Sequence, residues 1–306
     1  MDNSNMMCDL ESGVCGAAEE DAVQEIDLNL APKTITLYYV TDPICSHCWA
    51  LEPVFNRFIQ EYGQYFHLKI LMGGLLPSWK GFSDGGNGIQ KPSDVAEHWK
   101  EVGEHSRMPI DGSLWHTDPV LSSYPPSRVF KVIQNKFPGR AADFLRRARE
   151  AVFVSNLNIG ADEVLIRMVD RLGLDGEQIV GEAALGAAQE LLDEDFEMVS
   201  RLGVRGFPTI IMVNEDNKGV KIVGARPLEA YVQALSQIST QGVTPGRAPR
   251  LAQWIKGEHK LFSKEIEVMY EIPADAVEAY IKSELPENSY QVERIMNELY
   301  VEQLSS

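Results

Sequence analysis

One stretch of the chain decides the fold, Thr34-Ile-Thr-Leu-Tyr-Tyr-Val40-Thr-Asp-Pro-Ile-Cys45-Ser-His-Cys48-Trp49. Its first seven residues are rich in β-branched and aromatic side chains, which is typical of a strand, and Thr41-Asp42-Pro43 ends that strand. After the cysteines, apolar residues recur at helical spacing as far as Gly63, and residues 66–72 predict a second strand. The pattern therefore predicts a β–α–β unit whose two strands are parallel in one sheet.

The two cysteines of this stretch are three residues apart, so they lie on the same side of the predicted helix. Cys45 falls at the helix N-terminus, where unsatisfied amide groups and the helix dipole favour a thiolate. A cysteine in this position typically has a pKa of about 3.5–7.5, and His47 is placed to add positive charge or a hydrogen bond. We therefore predict that Cys45 is the nucleophile and that Cys48 resolves its mixed disulfide.

Two other interpretations of the cysteine pair stay open. The pair could be half of a zinc site, which needs four ligands, with the others drawn from Cys8, Cys15 or a distant histidine. It could also be a chance pair of small core residues. The strand before the pair, the helix after it and the aromatic Trp49 favour redox chemistry.

A second signature is Gly203-Val-Arg-Gly-Phe207-Pro208-Thr209, which precedes a predicted strand at 209–213. A cis X-Pro bond is a specific tight-turn feature, and beside a redox cysteine it exposes the backbone of the residue before it. We therefore predict a cis bond at Pro208, with the Phe207 backbone docking an extended substrate segment. The alternative is a trans-proline at the start of an ordinary strand.

The rest of the chain divides by composition. Residues 92–201 have helical periodicity almost throughout, residues 220–223 predict a short strand, and residues 227–238 predict a helix. The predicted organisation is a mobile acidic tail (1–33), a thioredoxin-like core (34–90 and 200–240), a helical insertion (91–199) and a helical C-terminal module (248–306). His98, His105 and His116 of the insertion are interpreted as surface or core histidines, and Trp99 and Trp115 as packing residues.

Charge and composition exclude several classes of function. The formal net charge is −17, which argues against partners that are nucleic acids or anionic membranes. No apolar run approaches a membrane span, and the first thirty residues hold eight acidic residues with no lysine or arginine, unlike a secretory signal. We therefore expect a cytoplasmic protein. We find no phosphate loop and no His-Glu-x-x-His motif, and we expect neither a cofactor nor a metal.

The two signatures resemble the DsbA family, specifically its cytoplasmic FrnE-like branch. That resemblance implies an α/β fold of the thioredoxin type, interrupted by a helical insertion. It also implies dithiol–disulfide exchange or isomerisation on cysteine-containing protein substrates. The catalytic residues would be Cys45, Cys48 and His47, and the substrate-binding residues would be Phe207, Pro208 and Trp49.

Over residues 33–285 the chain is also similar to the SpxH (YjbH) group. That group consists of adapters that deliver the transcription regulator Spx to the ClpXP protease. The similarity implies an alternative function as an adapter, in which the cysteines are a redox sensor or dispensable. The stretches that carry it are Asp111-Gly-Ser-Leu-Trp115, Leu121-Ser-Ser123, Phe153-Val-Ser155 and Ser263-Lys-Glu-Ile266.

Overall fold

The computed structural model describes residues 8–9, 14–15, 35–82, 88–258, 260–286 and 288–304. By its contacts the chain divides into residues 1–32 and residues 33–306. In the first unit, strand β1 (Cys8–Asp9) pairs antiparallel with β2 (Val14–Cys15), a pairing that the sequence analysis does not predict. The prediction of a mobile tail otherwise falls outside the described residues.

The second unit contains seven strands and twelve helices within the described residues. The strands are β3 (Ile35–Thr41), β4 (Phe66–Met72), β5 (Thr209–Val213), β6 (Gly219–Val223), β7 (Lys260–Phe262), β8 (Tyr290–Ile295) and β9 (Glu298–Gln303). The first eight helices are α1 (Ser46–Tyr62), α2 (Val95–Ser106), α3 (Leu114–Thr117), α4 (Tyr124–Lys136), α5 (Ala141–Arg149), α6 (Asp162–Arg171), α7 (Gly176–Ala183) and α8 (Gly186–Arg201). The last four are α9 (Leu228–Ile238), α10 (Leu251–Glu258), α11 (Ser263–Tyr270) and α12 (Val277–Glu284). None of the described helices is long and apolar enough to cross a membrane.

The sheet of the thioredoxin-like core has the strand order β4-β3-β5-β6. Strands β3 and β4 are parallel, with Ile35 opposite Phe66, which confirms the predicted β–α–β unit. Strand β5 runs antiparallel to both β3 and β6. Helices α1 and α9 pack on one face of the sheet around Leu37, Phe58 and Tyr231, all three fully buried. The sheet therefore combines strands from both predicted segments of the thioredoxin-like core.

Residues between β4 and β5 form helices α2–α8, as the periodicity predicts. The largest apolar cluster of the described residues lies here, and it includes residues from outside this segment. Trp49 of α1, Met72 of β4 and Phe262 of β7 all belong to it. Because these side chains share one core with the helices, the insertion packs continuously against the sheet and the C-terminal segment.

The C-terminal module contains the predicted helices, α10–α12, and in addition a three-stranded sheet of order β7-β9-β8 that the prediction omits. Residues 290–303 contain strong helix formers and no glycine, so their local pattern does not indicate a hairpin. Met296 and Asn297 adopt φ of 49° and 67°, as the two central residues of a type I′ turn do. Fully buried Val301, packed in the module's own core, shows that tertiary burial overrides the local propensity.

A buried ion network joins the three parts of this unit. The guanidinium of Arg146 on α5 pairs with Glu265 of α11 at 2.7 Å and with Glu150 at 2.8 Å. It also pairs with Glu52 of α1, whose second oxygen accepts a hydrogen bond from Arg149 at 2.7 Å. Burial alone would lower the pKa of Arg146, but the attraction of the three carboxylates outweighs it and raises that pKa.

We expect the Arg146→Met substitution to lower the free energy of unfolding by about 3–5 kcal/mol, since it leaves buried carboxylates without their counter-charge. Urea unfolding followed by circular dichroism measures the change. Arg140→Met is the matched control, because Arg140 is exposed and its one ion pair within the described residues is with half-buried Asp143, at 3.3 Å. Equal stabilities of the two variants would contradict the role assigned to the network.

Candidate redox site

Cys45 is the N-cap residue of α1, in an extended conformation with φ −78° and ψ 105°. Its Sγ accepts a hydrogen bond from the backbone N–H of Cys48 at 3.2 Å, and its carbonyl accepts one from Trp49 N–H at 3.1 Å. The first turn of α1 thus directs an amide donor at the sulfur of Cys45. An N–H donor and the helix dipole both favour a thiolate at this position once the cysteine is reduced.

Cys45 and Cys48 form a disulfide, with their Cα atoms 5.2 Å apart. Cys45 is 5% exposed and lines a cavity, whereas Cys48 is fully buried and does not line it. Cys45 is therefore less exposed than a cysteine at the N-terminus of an uncovered helix would be. The cavity therefore offers a partner thiol a route to Cys45.

The Phe207–Pro208 peptide bond is cis, which confirms the prediction. Phe207 and Gly206 line the same cavity as Cys45, so the fold brings the two sequence signatures together. Pro208 is buried, and its carbonyl accepts a hydrogen bond from Gly224 N–H at 2.8 Å. The ring of Phe207 lies so close to Gly73 that a Cβ added there would be 2.1 Å from it, which explains the glycine.

The cavity has a volume of about 550 Å³ and a wall that is mainly apolar and aromatic. The Trp99 and Trp115 rings meet edge to face, with their centroids 5.0 Å apart. The residues of the wall other than Cys45, Gly206 and Phe207 are Ile44, Ser46, His47, Leu75, Leu76, Trp79, Phe82, Ile89, Val95, His98, Trp99, Trp115 and Arg205. Apolar walls with a few polar groups are typical of sites that bind a ligand or a peptide side chain.

The side chain of His47 is exposed to solvent and lies beside His98, with the ring centroids 5.4 Å apart. Desolvation lowers the pKa of His47 from its ordinary value, and the nearby His98 and His105 lower it further. The imidazole is therefore predominantly neutral near pH 7. This describes the disulfide form; the predicted role of His47 beside a Cys45 thiolate, by charge or by a hydrogen bond, stays a prediction.

Trp49 is the predicted site residue that the structure places elsewhere. Its side chain is fully buried and does not line the cavity, and its Nε1 donates a hydrogen bond to the carbonyl of Pro109 at 3.0 Å. Its ring stacks on Phe153 and meets Phe262 edge to face. The structure thus corrects the substrate-binding role predicted for Trp49, because its indole fills the core between insertion and C-terminal module.

Asp42 is a functional candidate that the sequence analysis uses only as part of a motif. Its buried carboxylate accepts hydrogen bonds from Ile44 N–H at 3.1 Å, Leu75 N–H at 2.8 Å and the Ser123 hydroxyl at 2.8 Å. It thereby fixes the segment before Cys45 to a loop and a helix start that flank the cavity. Burial raises the pKa of Asp42 to about 6, and the hydrogen bonds oppose that rise.

The insertion also contributes residues to the candidate redox site. His98, Trp99 and Trp115, interpreted from sequence as structural, all line the cavity. The Nε1 of Trp115 is buried without a hydrogen-bond partner among the described residues, so a ligand acceptor would satisfy it. Nothing in the local sequence marks these residues, because the tertiary fold brings them beside Cys45. Among the described residues, no group of three histidine, cysteine or acidic side chains is arranged to hold a metal.

After reduction, we expect iodoacetamide to alkylate Cys45 much faster than Cys48 near pH 7. Only Cys45 lines the cavity, and only Cys45 receives the amide hydrogen bond at the helix N-terminus. Peptide mapping by mass spectrometry over a pH series measures both rates. Single variants Cys45→Ser and Cys48→Ser serve as controls. Equal rates at the two sulfurs would contradict the assignment of nucleophile and resolver.

The raised pKa of Asp42 predicts that the stability of the fold depends on pH. Because its pKa is higher in the folded protein than in the unfolded chain, its protonation stabilises the fold as the pH falls through about 6. Wild-type protein should therefore gain about 1 kcal/mol relative to Asp42→Asn between pH 7 and pH 5. Urea unfolding at both pH values measures this, with Asp275→Asn at an exposed position as the control. A difference that does not change with pH would contradict the raised pKa.

Comparisons with known proteins agree with this geometry. A model of the thioredoxin family matches residues 38–233. The ClpXP adapter protein SpxH of Halalkalibacterium halodurans is 31% identical over 279 residues, which cover 90% of this chain and 90% of that protein. The ClpXP adapter protein SpxH of Bacillus subtilis is 28% identical over 254 residues, covering 82% of this chain and 83% of that protein.

Among solved structures, the cytosolic disulfide reductase DsbM from Pseudomonas aeruginosa superposes with a TM-score of 0.54 at 19% identity. The superposition covers 67% of this chain and 100% of that one, and at this identity it shows the fold alone. The predicted α/β fold of thioredoxin type and the predicted resemblances are thereby confirmed. Because the family model matches residues 38–233, more than half of the chain, and the alignment with an SpxH relative covers 90% of both chains, the chain belongs to the thioredoxin family and, within it, to the SpxH family.

Proposed function

We propose that this protein is an adapter of the SpxH type, which binds an Spx-like transcription regulator and presents it to the ClpXP protease. The observation that carries the proposal is the extent of the similarity to SpxH, which covers 90% of both chains. The unaligned tenth of this chain is shorter than residues 248–304. The similarity to SpxH must therefore extend into the C-terminal module.

The disulfide reductase of similar fold and the thioredoxin family model each correspond to only part of this chain. DsbM is covered completely by two thirds of this chain. The thioredoxin family model likewise ends at residue 233, before α10 begins. A thioredoxin-fold protein that only exchanges disulfides has no need of the additional module. A protein that must hold two partners at once does need additional surface.

The C-terminal module is firmly attached to the remainder of the unit, as a docking surface has to be. Arg107 of the insertion bonds Glu298 at 3.1 Å and Glu267 at 2.8 Å. Arg57 of α1 donates to the carbonyl of Val268 at 3.0 Å. With the Arg146 network, these bonds hold the module in one position, so that binding a partner costs little ordering of the adapter.

The disulfide and its cavity favour a second candidate function, thiol–disulfide exchange with cysteine-containing proteins. In the oxidised protein a substrate thiolate would attack the Sγ of Cys45 and displace Cys48 as a thiolate. A second substrate thiolate would then release Cys45, so that the substrate gains a disulfide and this protein gains two electrons. The backbone at Phe207, beside cis-Pro208, would hold the substrate segment during both steps.

One variant separates the two functions. In Cys45→Ser/Cys48→Ser, we expect binding and ClpXP-dependent degradation of an Spx-like partner to stay within about twofold of wild type. The pair lies at a helix start, and its loss removes chemistry and little packing. Degradation is followed by gel with purified partner and protease, and exchange by oxidation of a dithiol peptide. The matched control is Thr240→Ser, a substitution at an exposed position.

The outcomes are distinct. Undiminished degradation with the double variant supports the adapter. Abolished exchange in the same variant, with clear exchange by wild-type protein, supports the second candidate. Failure of wild-type protein to promote degradation at all would overturn the proposed adapter function.

A further inference from the structure

A second cleft, of about 480 Å³, lies where helices α5 and α6 of the insertion meet strands β7 and β9 of the C-terminal module. It shares no lining residue with the redox cavity. Four cationic side chains line it, from Arg147, Arg167, Arg171 and Lys260, against two carboxylates. The cleft therefore carries net positive charge in a protein whose formal net charge is −17.

The two carboxylates of the cleft are already paired. Glu150 accepts from Arg146 at 2.8 Å and from Arg147 at 2.9 Å, and Glu302 lies 3.5 Å from the Nζ of Lys260. Arg167 and Arg171 are exposed and make no ion pair within the described residues. They lie four residues apart on α6, so that both guanidinium groups reach the same side of the cleft.

The wall beside these arginines is apolar. Val154, Val164 and Met168 line the cleft and are buried, and Leu157, also in the wall, is 38% exposed. A small inorganic anion would satisfy the arginines and leave this apolar wall in water. A ligand that carries both carboxylates and an apolar side chain would cover the whole surface.

We propose that this cleft binds an acidic peptide segment of a partner protein, with its carboxylates on Arg167 and Arg171 and an apolar side chain against Val154 and Val164. Arginine binds carboxylates in paired, directional hydrogen bonds, which gives such a contact specificity. The inference rests on the proposed adapter function in one respect, because an adapter needs a second docking surface apart from the redox cavity. Nucleic acid is a poor alternative, since its phosphates would be repelled by the strongly acidic remainder of the protein.

The probe is a fluorescein-labelled peptide, acetyl-Glu-Leu-Asp-Glu-Leu-Asp-amide, and the readout is fluorescence anisotropy with the full chain. We expect Arg167→Glu/Arg171→Glu to raise the Kd at least about tenfold. Wild-type binding should weaken between about 50 and 500 mM NaCl. A Gln/Asn analogue without carboxylates, and an analogue with serine for leucine, should each bind at least about tenfold more weakly.

The matched control is Arg201→Glu/Lys218→Glu, which makes the same change in net charge at exposed residues outside the cleft. Melting curves establish that both double variants are folded. Equal Kd values for wild type and Arg167→Glu/Arg171→Glu, or equal weakening in the control, would overturn the proposal. So would binding of inorganic phosphate that displaces the peptide completely while the serine analogue binds as well as the parent.

The same variants, tested for ClpXP-dependent degradation, keep the two proposals apart. If Arg167→Glu/Arg171→Glu loses the peptide and wild-type protein still promotes degradation, the cleft and the adapter function both stand. If wild-type protein binds the peptide and promotes no degradation, the cleft stands and the adapter function fails.

Discussion

The arrangement of the whole unit depends on one buried cation. Arg146 forms ion pairs with three carboxylates. One lies on α1 of the core, one on the insertion residue that follows α5, and one on α11 of the C-terminal module. A buried charge tolerates only a geometry in which its partners are close and hydrogen-bonded. The network therefore specifies one relative placement of the three parts more strongly than apolar packing, which tolerates rearrangement.

Trp49 connects this network to the redox centre. It follows Cys48 directly, and the guanidinium carbon of Arg146 lies 4.8 Å from the centre of its ring. Its ring also packs against Phe153 of the insertion and Phe262 of the C-terminal module. The helix that presents the cysteines is thus fixed at its first turn by parts of the protein outside the thioredoxin sheet. In an adapter whose partner binds the insertion or the C-terminal module, the same contacts of Trp49 would hold the redox centre in place.

The sequence alone determined the central β–α–β unit and the redox signatures. The predicted bounds of β4 and β5 coincide with those observed, and α1 ends at Tyr62, directly before the Gly63 at which its periodicity stops. Alternation, helical spacing and Gly or Pro punctuation are local properties, so they can be read without the fold. The cysteine pair and Pro208 were predictable for the same reason, since a short motif carries each of them.

Only the tertiary structure decided which residues surround the cysteines and how the C-terminal module is built. His98 and Trp115 have no local mark of function and reach the cavity because the insertion folds back over α1. Strands β8 and β9 form in a segment rich in helix formers, because burial of Val301 against the module's core outweighs propensity. The positive cleft likewise arises from two distant segments of the chain, residues 147–171 and residues 260–303. Sequence patterns report local conformation, whereas burial, pKa and charge complementarity depend on neighbours that are distant along the chain.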